Sequence, residues 1–237
     1  MITPMSTLVL VAATAIAVSG CGVDVAFGDD ATDRTETRTI DARDVDALWI
    51  DTANGAVSVT GTDGDTVEIT AHLRERSFGD AEVAVTEHDG RLTVDGECDG
   101  GWFGNCRVEF EVDVPRDLDV TVDSNNGRIE LAGLSGEVDA DTGNGAIDAT
   151  GLTADRVTAD SDNGRITLDF DDAPDMVAAI TDNGAIAIRV GGDAVYDIDA
   201  GSDHGTIELQ LPTDPGAARR IVAQSDNGSI LIADRRG

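Results

Sequence analysis

The stretch "SDNGRITL" at residues 161–168 decides the fold, because the same corner returns three more times along the chain. The copies read "TDNGAIAI" at 181–188, "SDHGTIEL" at 202–209 and "SDNGSILI" at 225–232. An Asn-Gly pair between two runs of alternating apolar residues is a strong turn signal, since both residues tolerate the positive φ of a tight corner. A turn that returns at a nearly constant period indicates a repeat protein.

Eight corners of this kind can be aligned on the residue before the turn glycine. Consecutive corners are 35, 37, 18, 19, 20, 21 and 23 residues apart, which predicts a unit of 18–23 residues with further corners disguised inside the first two intervals. The aligned residues are Asn54, Asp89, Asn126, Asn144, Asn163, Asn183, His204 and Asn227. We expect the turn asparagines to form a structural ladder of side-chain hydrogen bonds.

Both flanks of each corner alternate between apolar and polar residues with a period of two. Around Asn163 the apolar positions are Val157 and Ala159 before the corner, and Ile166 and Leu168 after it. This alternation predicts two short, half-buried strands per repeat. Because two short strands cannot bury their apolar side alone, the repeats must stack on one another. This favours an all-β solenoid. An antiparallel β meander of hairpins is the alternative.

The N-terminus is predicted to be a lipoprotein signal peptide, residues 1–20. Its apolar run from Leu8 to Val18 is too short to span a bilayer, which takes about 20 residues. The run leads into "VSGC", which resembles a lipobox, the motif whose cysteine becomes the lipidated first residue of a mature lipoprotein. Cys21 is therefore the candidate lipid anchor.

The rest of the chain is divided by composition. Residues 21–36 are polar and acidic, which predicts a flexible tether. Residues 37–237 are expected to form the solenoid domain, with an irregular first part at 37–118 and regular repeats at 119–237.

The corner motif, the stretch "VPRDLDVTVDSNNGRIEL" at 114–131 and the lipoprotein leader resemble a family of prokaryotic cell-envelope β-solenoid proteins called "putative adhesin". The resemblance covers roughly residues 40–237. It implies a right-handed parallel β-helix and a domain of unknown function, associated with adhesion by name. Similar domains accompany envelope-stress systems, and the family brings no catalytic residues to carry over.

The charge is lopsided and excludes one class of partner. The chain has 47 Asp and Glu against 16 basic residues, a formal net charge of −31, and it contains no lysine. Nucleic acid binding needs a basic face, which this composition does not offer. Such an excess of acid repels itself in dilute salt and is typical of adaptation to high salt. Codon bias in a GC-rich genome would explain the missing lysine but not the excess of acid.

Four acidic residues precede the turn residue in the last four repeats: Asp162, Asp182, Asp203 and Asp226. Stacking would place neighbouring carboxylates about 4.8 Å apart. The row predicts either a cation site, with calcium as the candidate ion, or simply favoured turn residues. No other cofactor is predicted.

The loop "CDGGWFGNC" at 98–106 carries the other distinctive residues. Outside the membrane, Cys98 and Cys106 are expected to form a disulfide. Trp102 and Phe103 are adjacent in a chain with few aromatics, and they predict either a binding tip or a cap over an edge of the solenoid.

Motifs for hydrolases, zinc proteases and phosphate-binding loops are absent from the sequence. We therefore expect a non-enzymatic lipoprotein on the extracellular face of the cell membrane, acting as an adhesin or an interaction scaffold. The alternatives are an accessory or sensor component of an envelope-stress system, and a polysaccharide lyase or hydrolase, because parallel β-helices often host such enzymes. The protein is expected to be a monomer that associates weakly end to end, through the coil that ends at Ile232.

Overall fold

The structure, a computed structural model, describes residues 26–28, 31–76, 80–99 and 105–236. The predicted signal peptide, the candidate anchor Cys21 and the aromatic pair Trp102 and Phe103 lie outside these residues. Every regular element in the described part of the chain is a β-strand. This part contains no helix long and apolar enough to cross a bilayer.

Twenty strands follow one another along the described residues. They are β1 (Ala26–Gly28), β2 (Ala31–Asp41), β3 (Ala47–Asn54), β4 (Val57–Thr62), β5 (Thr66–Arg76), β6 (Asp80–His88), β7 (Arg91–Asp99), β8 (Asn105–Pro115), β9 (Asp119–Asn126), β10 (Ile129–Ala132), β11 (Val138–Thr142), β12 (Ile147–Leu152), β13 (Arg156–Ser161), β14 (Ile166–Phe170), β15 (Met176–Asn183), β16 (Ile186–Val190), β17 (Tyr196–Ser202), β18 (Ile207–Leu209), β19 (Arg219–Asn227) and β20 (Ile230–Asp234).

The strands form two sheets with the core between them. Sheet A has 11 strands in the order β1-β2-β5-β8-β4-β10-β12-β14-β16-β20-β18. Sheet B has nine strands in the order β17-β19-β15-β13-β11-β9-β3-β7-β6. All neighbours from β4 to β18 in sheet A are parallel, as are all neighbours from β3 to β17 in sheet B. The predicted solenoid is therefore confirmed, and an antiparallel meander is excluded for this part of the chain.

Each regular repeat gives one strand to each sheet, and we call a sheet B strand, its Asn-Gly corner and the following sheet A strand a coil. Corresponding residues pair from coil to coil: Val157 pairs with Val138, and Ile166 with Ile147. The apolar positions of the period-two pattern thus line up in columns, and Val157, Ile166 and Leu168 are almost completely buried. The register is firmly set, because a slip of one residue would turn the apolar side chains outward.

The corners join the two sheets and are not hairpin turns within one sheet. The expectation that their glycines are needed for positive φ is wrong in the regular coils, where Gly145, Gly164 and Gly184 do not have it. Glycine is required there by close stacking. A Cβ on Gly164 would collide with the carbonyl oxygen of Gly145 in the neighbouring coil, and a Cβ on Gly184 with that of Gly164.

In the first part of the domain, some neighbouring strands pair antiparallel and do not follow the pattern of the regular coils. In sheet A, β5 pairs antiparallel with both β2 and β8, and in sheet B β6 and β7 form a hairpin. Asp89, predicted as a coil corner, is instead the turn of that hairpin, with φ of 49° followed by 77° at Gly90. Asn54 and Asn126 pair directly through β3 and β9. The disguised corner expected in the second interval is the crossing from β7 in sheet B to β8 in sheet A, two strands that pair parallel with β3 and β4 on the other side of the Asn54 coil.

The tether expected at residues 21–36 does not extend as far as predicted. Residues 31–36 form the first half of β2, which pairs with β5 along its whole length, from Ala31 opposite Arg76 to Asp41 opposite Thr66. Threonine recurs in this segment, and β-branched residues favour strands. The polar composition of residues 31–36 suggested a flexible tether, but pairing with the distant strand β5 makes these residues part of a strand.

The coils do not stack in their order along the chain. The coil β19–β20 lies between the coils β15–β16 and β17–β18 in both sheets. The expectation that the coil ending at Ile232 lies at the end of the stack is therefore wrong. The outermost coil is β17–β18, and the segment 210–218 that follows it contacts its first residue: Tyr196 donates its N–H to the carbonyl of Pro212 and accepts a bond from the N–H of Asp214.

Candidate functional site

The corner asparagines form a continuous chain of side-chain hydrogen bonds along one edge of the stack. In each link the Nδ2 of one asparagine donates to the Oδ1 of the next, at 3.0–3.1 Å. The residues linked in this way are Asn126, Asn144, Asn163, Asn183 and Asn227. His204 lies beside Asn227 and donates its backbone N–H to Asp226, whereas Asp89 lies in the hairpin and takes no part.

A second row of hydrogen bonds runs behind the asparagines. In five coils the residue two positions before the corner is a serine or threonine whose hydroxyl donates to the corner glycine carbonyl of the neighbouring coil: Thr142, Ser161, Thr181, Ser202 and Ser225. Ser161 donates to Gly145 at 2.9 Å, and Thr181 to Gly164 at 3.1 Å. The sequence carries this signal in the repeated "SDNG" and "TDNG", although the predicted site residues include only the asparagine and the aspartate of each corner. The corner edge is thereby held rigid by two rows of side-chain bonds.

The four predicted corner aspartates are adjacent and exposed, but in a different order. Because the coil β19–β20 is inserted, the row runs Asp162, Asp182, Asp226, Asp203. Within the described residues no group of three or more His, Cys, Asp or Glu side chains is placed to hold a metal ion. The arrangement is a line of like charge along the corner edge, and we propose no metal there.

A longer row of aspartates, which sequence reasoning missed, crosses the outer face of sheet B. Five strands in succession place an aspartate at the same register position, and we call this set the outer aspartate row: Asp95, Asp51, Asp123, Asp141 and Asp160. Each lies three positions before a corner, or in register with such a residue. Neighbouring strands are about 4.8 Å apart, so these carboxylates repel one another at close range.

Partial burial and the crowding of like charges raise the pKa of carboxyl groups on the outer face. Partial burial, followed by the charges of Asp123, Asp95 and Glu97, raises the pKa of Asp51. The same order of causes, partial burial and then neighbouring aspartates, raises the pKa of Asp141 and of Asp160. The ionised form of each group is therefore disfavoured by folding.

An aromatic residue on this face is Trp49, which is not among the predicted site residues. Trp49 points outward between the buried residues Leu48 and Ile50, and 37% of it is exposed. The guanidinium of Arg91 on β7 lies 5.4 Å from the centre of its ring, a cation–π contact. Trp49 shares β3 with Asp51 of the outer aspartate row. An exposed tryptophan beside a row of carboxylates gives this face both an apolar and a charged contact.

The irregular end of the domain carries the remaining sequence-predicted features. The predicted disulfide between Cys98 and Cys106 is confirmed, and it joins β7 in sheet B to β8 in sheet A. A groove of about 400 Å³ lies on the outer face of β2, β5 and β8. Its charges are matched within the groove, since Arg74 pairs with Asp33 at 2.8 Å and Arg107 with Glu109 at 3.2 Å.

Comparison with known proteins gives a family and a fold. The family model described as Toastrack DUF4097 matches residues 45–189, more than half of the chain. A crystal structure of a "putative cell adhesion protein" from Clostridium sporogenes is similar, with a TM-score of 0.54 and 11% identity over 86% of this chain and 100% of that one. A "putative adhesin" from Bacteroides fragilis has a TM-score of 0.45 and 14% identity over 84% of this chain and 96% of that one. No curated protein matches the chain.

Proposed function

The chain belongs to the Toastrack DUF4097 family, and from this premise we propose that it is a non-enzymatic interaction protein of the cell envelope, an adhesin or an interaction scaffold. It is anchored by lipid on Cys21 to the extracellular face of the cell membrane, and it binds a surface ligand or an envelope protein. The isolated protein is a monomer that associates only weakly end to end.

The observation that carries this proposal is the outer face of sheet B. Parallel strands in fixed register hold Trp49 and the outer aspartate row at a constant spacing on a rigid support. Binding residues on regular strands are held more firmly than residues on loops. A long, flat face with one exposed aromatic ring is suited to contacting an extended or macromolecular partner, whereas small-molecule sites are concave and mostly apolar.

An adhesive role is supported by the similar Clostridium sporogenes protein, which is named a "putative cell adhesion protein". The anchor is supported by the "VSGC" motif alone. Its test is the intact mass of the membrane-extracted protein. We expect a mature chain that starts at Cys21 and carries added lipid mass, and an unmodified chain that starts at Met1 would refute the anchor.

The interaction role is tested by capture on intact cells. A photo-crosslinking residue in place of Thr121, which pairs with Trp49 on the outer face, should trap a specific partner. Trp49→Ala should reduce the capture strongly, because truncating an exposed aromatic anchor removes apolar contact area.

The matched control is Ile180→Ala, since Ile180 lies on the outer face of the same sheet with 40% exposure but far from Trp49. Capture that is equal in the two variants would refute Trp49 as the anchor of the contact. Capture of a stress-signalling membrane protein would favour the sensor alternative, and turnover of a polysaccharide by the purified protein would refute the non-enzymatic proposal.

A further inference from the structure

The edge strand β18 of sheet A, in the outermost coil of the stack, has exposed apolar side chains. Ile207 and Leu209 on β18 occupy core positions, in register with Ile230 and Ile232 on β20. Yet Ile207 is 42% exposed and Leu209 is 44% exposed, whereas Ile230 and Ile232 are buried. In the described part of the chain no strand pairs with the far side of β18.

The backbone of the same two residues faces the open side. Thr206 accepts a hydrogen bond from Ile230, and Gln210 donates one to Ile232, so the even-numbered residues of this segment bond to β20. Backbone groups alternate in direction along a strand. The N–H and C=O groups of Ile207 and Leu209 therefore point away from β20, toward the uncovered edge.

Both edges of sheet B have backbone groups that are bonded to neighbouring segments. On β6, the edge strand of sheet B, the carbonyl of Ala81 accepts a hydrogen bond from Nη2 of Arg34 at 3.0 Å, and that of Val83 from Nη2 of Arg38 at 3.1 Å. On β17, the backbone of Tyr196 is bonded to the segment 210–218. At this end of the stack the described residues place no strand beside β18, which leaves a vacancy one strand wide in sheet A.

We propose that this vacancy accepts an extended segment of a partner protein as an additional strand, with apolar residues pointing inward and basic residues pointing outward. The inward positions would cover Ile207 and Leu209, and the backbone would pair with their free groups, as in β-strand addition. Glu208 points to the outer face between them, where an opposite charge on the neighbouring strand is favourable. The net charge of −31 attracts a basic segment and repels a second copy.

A second copy also fits the end of the stack less well. Its last coil has two strands, one for each sheet, but the segment 210–218 already lies against β17 on the sheet B side. A second coil would have to displace this segment from Tyr196, the first residue of β17, whereas no described strand lies beside β18. The vacancy therefore matches a single strand and not a whole coil.

This inference rests on the proposed interaction role and specifies one partner of it. The probe is a synthetic nine-residue peptide that alternates arginine with isoleucine. Its binding to the purified protein would be measured by fluorescence anisotropy in dilute and in molar salt. The control peptide has the same sequence and charge, with one central isoleucine and the arginine that follows it both N-methylated, so that a backbone donor is lost from each edge of the peptide. We expect the first peptide to bind and the control to bind at least about tenfold more weakly.

Two variants of the protein locate the site. Leu209→Ser should weaken binding about tenfold, the value of covering a large apolar side chain, and Glu208→Gln by about two- to fivefold, the value of a cross-strand charge pair. Ile180→Ser is the matched control, because it removes an equally exposed apolar side chain from the other sheet. It should leave the affinity unchanged within about twofold, and unchanged melting temperatures would show that all three variants are folded.

Equal binding of both peptides, or equal affinity of Leu209→Ser and the parent protein, would overturn the proposal. The proposal would also be overturned if the protein formed dimers in sedimentation experiments at the concentrations that saturate peptide binding, and if Leu209→Ser abolished these dimers. The occupant of the vacancy would then be a second copy. Partner capture that depends on Trp49, together with no binding of either peptide to the parent protein, would refute this inference and leave the interaction role standing.

Discussion

Asn227 donates a hydrogen bond from its Nδ2 to the Oδ1 of Asn183 at 3.1 Å, although 44 residues separate the two in sequence. The corner that follows Asn183 along the chain, at His204, lies on the far side of Asn227. One coil has therefore been inserted between two others that are consecutive in sequence. The asparagine ladder remains unbroken because the inserted coil carries an asparagine, while the histidine is left at the end of the stack.

The first prediction tests the ladder at its middle. Asn163 donates to Asn144 at 3.1 Å and accepts from Asn183 at 3.0 Å, so Asn163→Ala removes two ladder bonds at once, together with a longer bond from its Nδ2 to the carbonyl of Gly143 at 3.4 Å. We expect the free energy of unfolding to fall by about 1–2 kcal/mol, the net value of two such bonds. Chemical denaturation would measure the change.

The control for this prediction is Asn125→Ala. Asn125 is exposed beside the ladder, and its side chain makes no hydrogen bond to the described residues. Its loss should change stability by less than about 0.5 kcal/mol, as for most surface substitutions. Equal effects of the two variants would mean that the ladder contributes nothing beyond ordinary surface polarity.

The columns of the core could be predicted from sequence, but the order of the coils could not. Val177, Val157 and Ile221 occupy equivalent positions in three coils, and the period-two pattern identifies each as buried. Every coil offers its neighbour nearly the same apolar columns and the same corner. The pattern therefore specifies the register between any two coils and leaves open which two are neighbours.

The second prediction concerns the glycine that stacking requires. In Gly164→Ala the added Cβ would collide with the backbone carbonyl of Gly145, which cannot move without disturbing the next coil. Overpacking of this kind should lower stability by about 2–3 kcal/mol. Thermal unfolding followed by circular dichroism would measure the loss.

Gly64→Ala is the control for the stacking argument. An added Cβ at Gly64 would meet only ordinary van der Waals contacts, of which the nearest is Oγ1 of Thr62 at 3.5 Å. We expect this variant to be neutral or slightly stabilising, because alanine reduces the entropy of the unfolded chain. A loss of stability as large as that of Gly164→Ala would refute the distinction between the two sites.

The outer face shows where sequence reasoning was incomplete. Asp51, Asp123 and Asp141 sit at outward positions, where an alternating strand is expected to be polar, so each one looks unremarkable in its own repeat. Their significance appears only when the register brings them side by side. Asp95 could not be placed by the repeat, because β7 belongs to a hairpin and joins the row through long-range pairing with β3.

The third prediction concerns the protected edge of sheet B. Arg38→Met keeps most of the aliphatic side chain but leaves the carbonyl of Val83 without its donor from Nη2. A buried acceptor that loses its partner costs about 1–3 kcal/mol. We expect a loss of stability in this range, together with faster amide hydrogen exchange in β6.

Arg128→Met is its matched control. Arg128 is an exposed residue whose ion pairs are with Glu130 at 3.1 Å and Asp148 at 2.9 Å. Exposed pairs contribute little, so its removal should cost less than about 1 kcal/mol. Faster exchange in β6 in both variants would argue against edge protection by Arg38.

The fourth prediction uses the raised pKa values of the outer aspartate row. Burial, then the charges of Asp123 and Asp160, raises the pKa of Asp141 above its ordinary value of 3.8. A carboxyl whose pKa is raised by folding favours the folded state below its ordinary pKa, and this contribution is lost as the pH rises through the raised value. The protein should therefore become more stable as the pH falls from 7 toward 4, measured as melting temperature in dilute salt.

The same repulsion should disappear in salt. The Debye length is about 10 Å at 0.1 M salt and about 3 Å at 1 M, so only molar salt screens carboxylates that are one strand apart. Asp141→Asn should raise the melting temperature at pH 7 in 0.1 M salt, and the gain should shrink at 1 M salt and toward pH 4. Asp172→Asn removes the same charge from an exposed connection outside the row, so it separates crowding from net charge. An equal gain in the two variants would mean that the net charge, and not the row, limits stability. A rise in melting temperature with millimolar calcium that molar sodium chloride does not reproduce would instead identify a specific cation site.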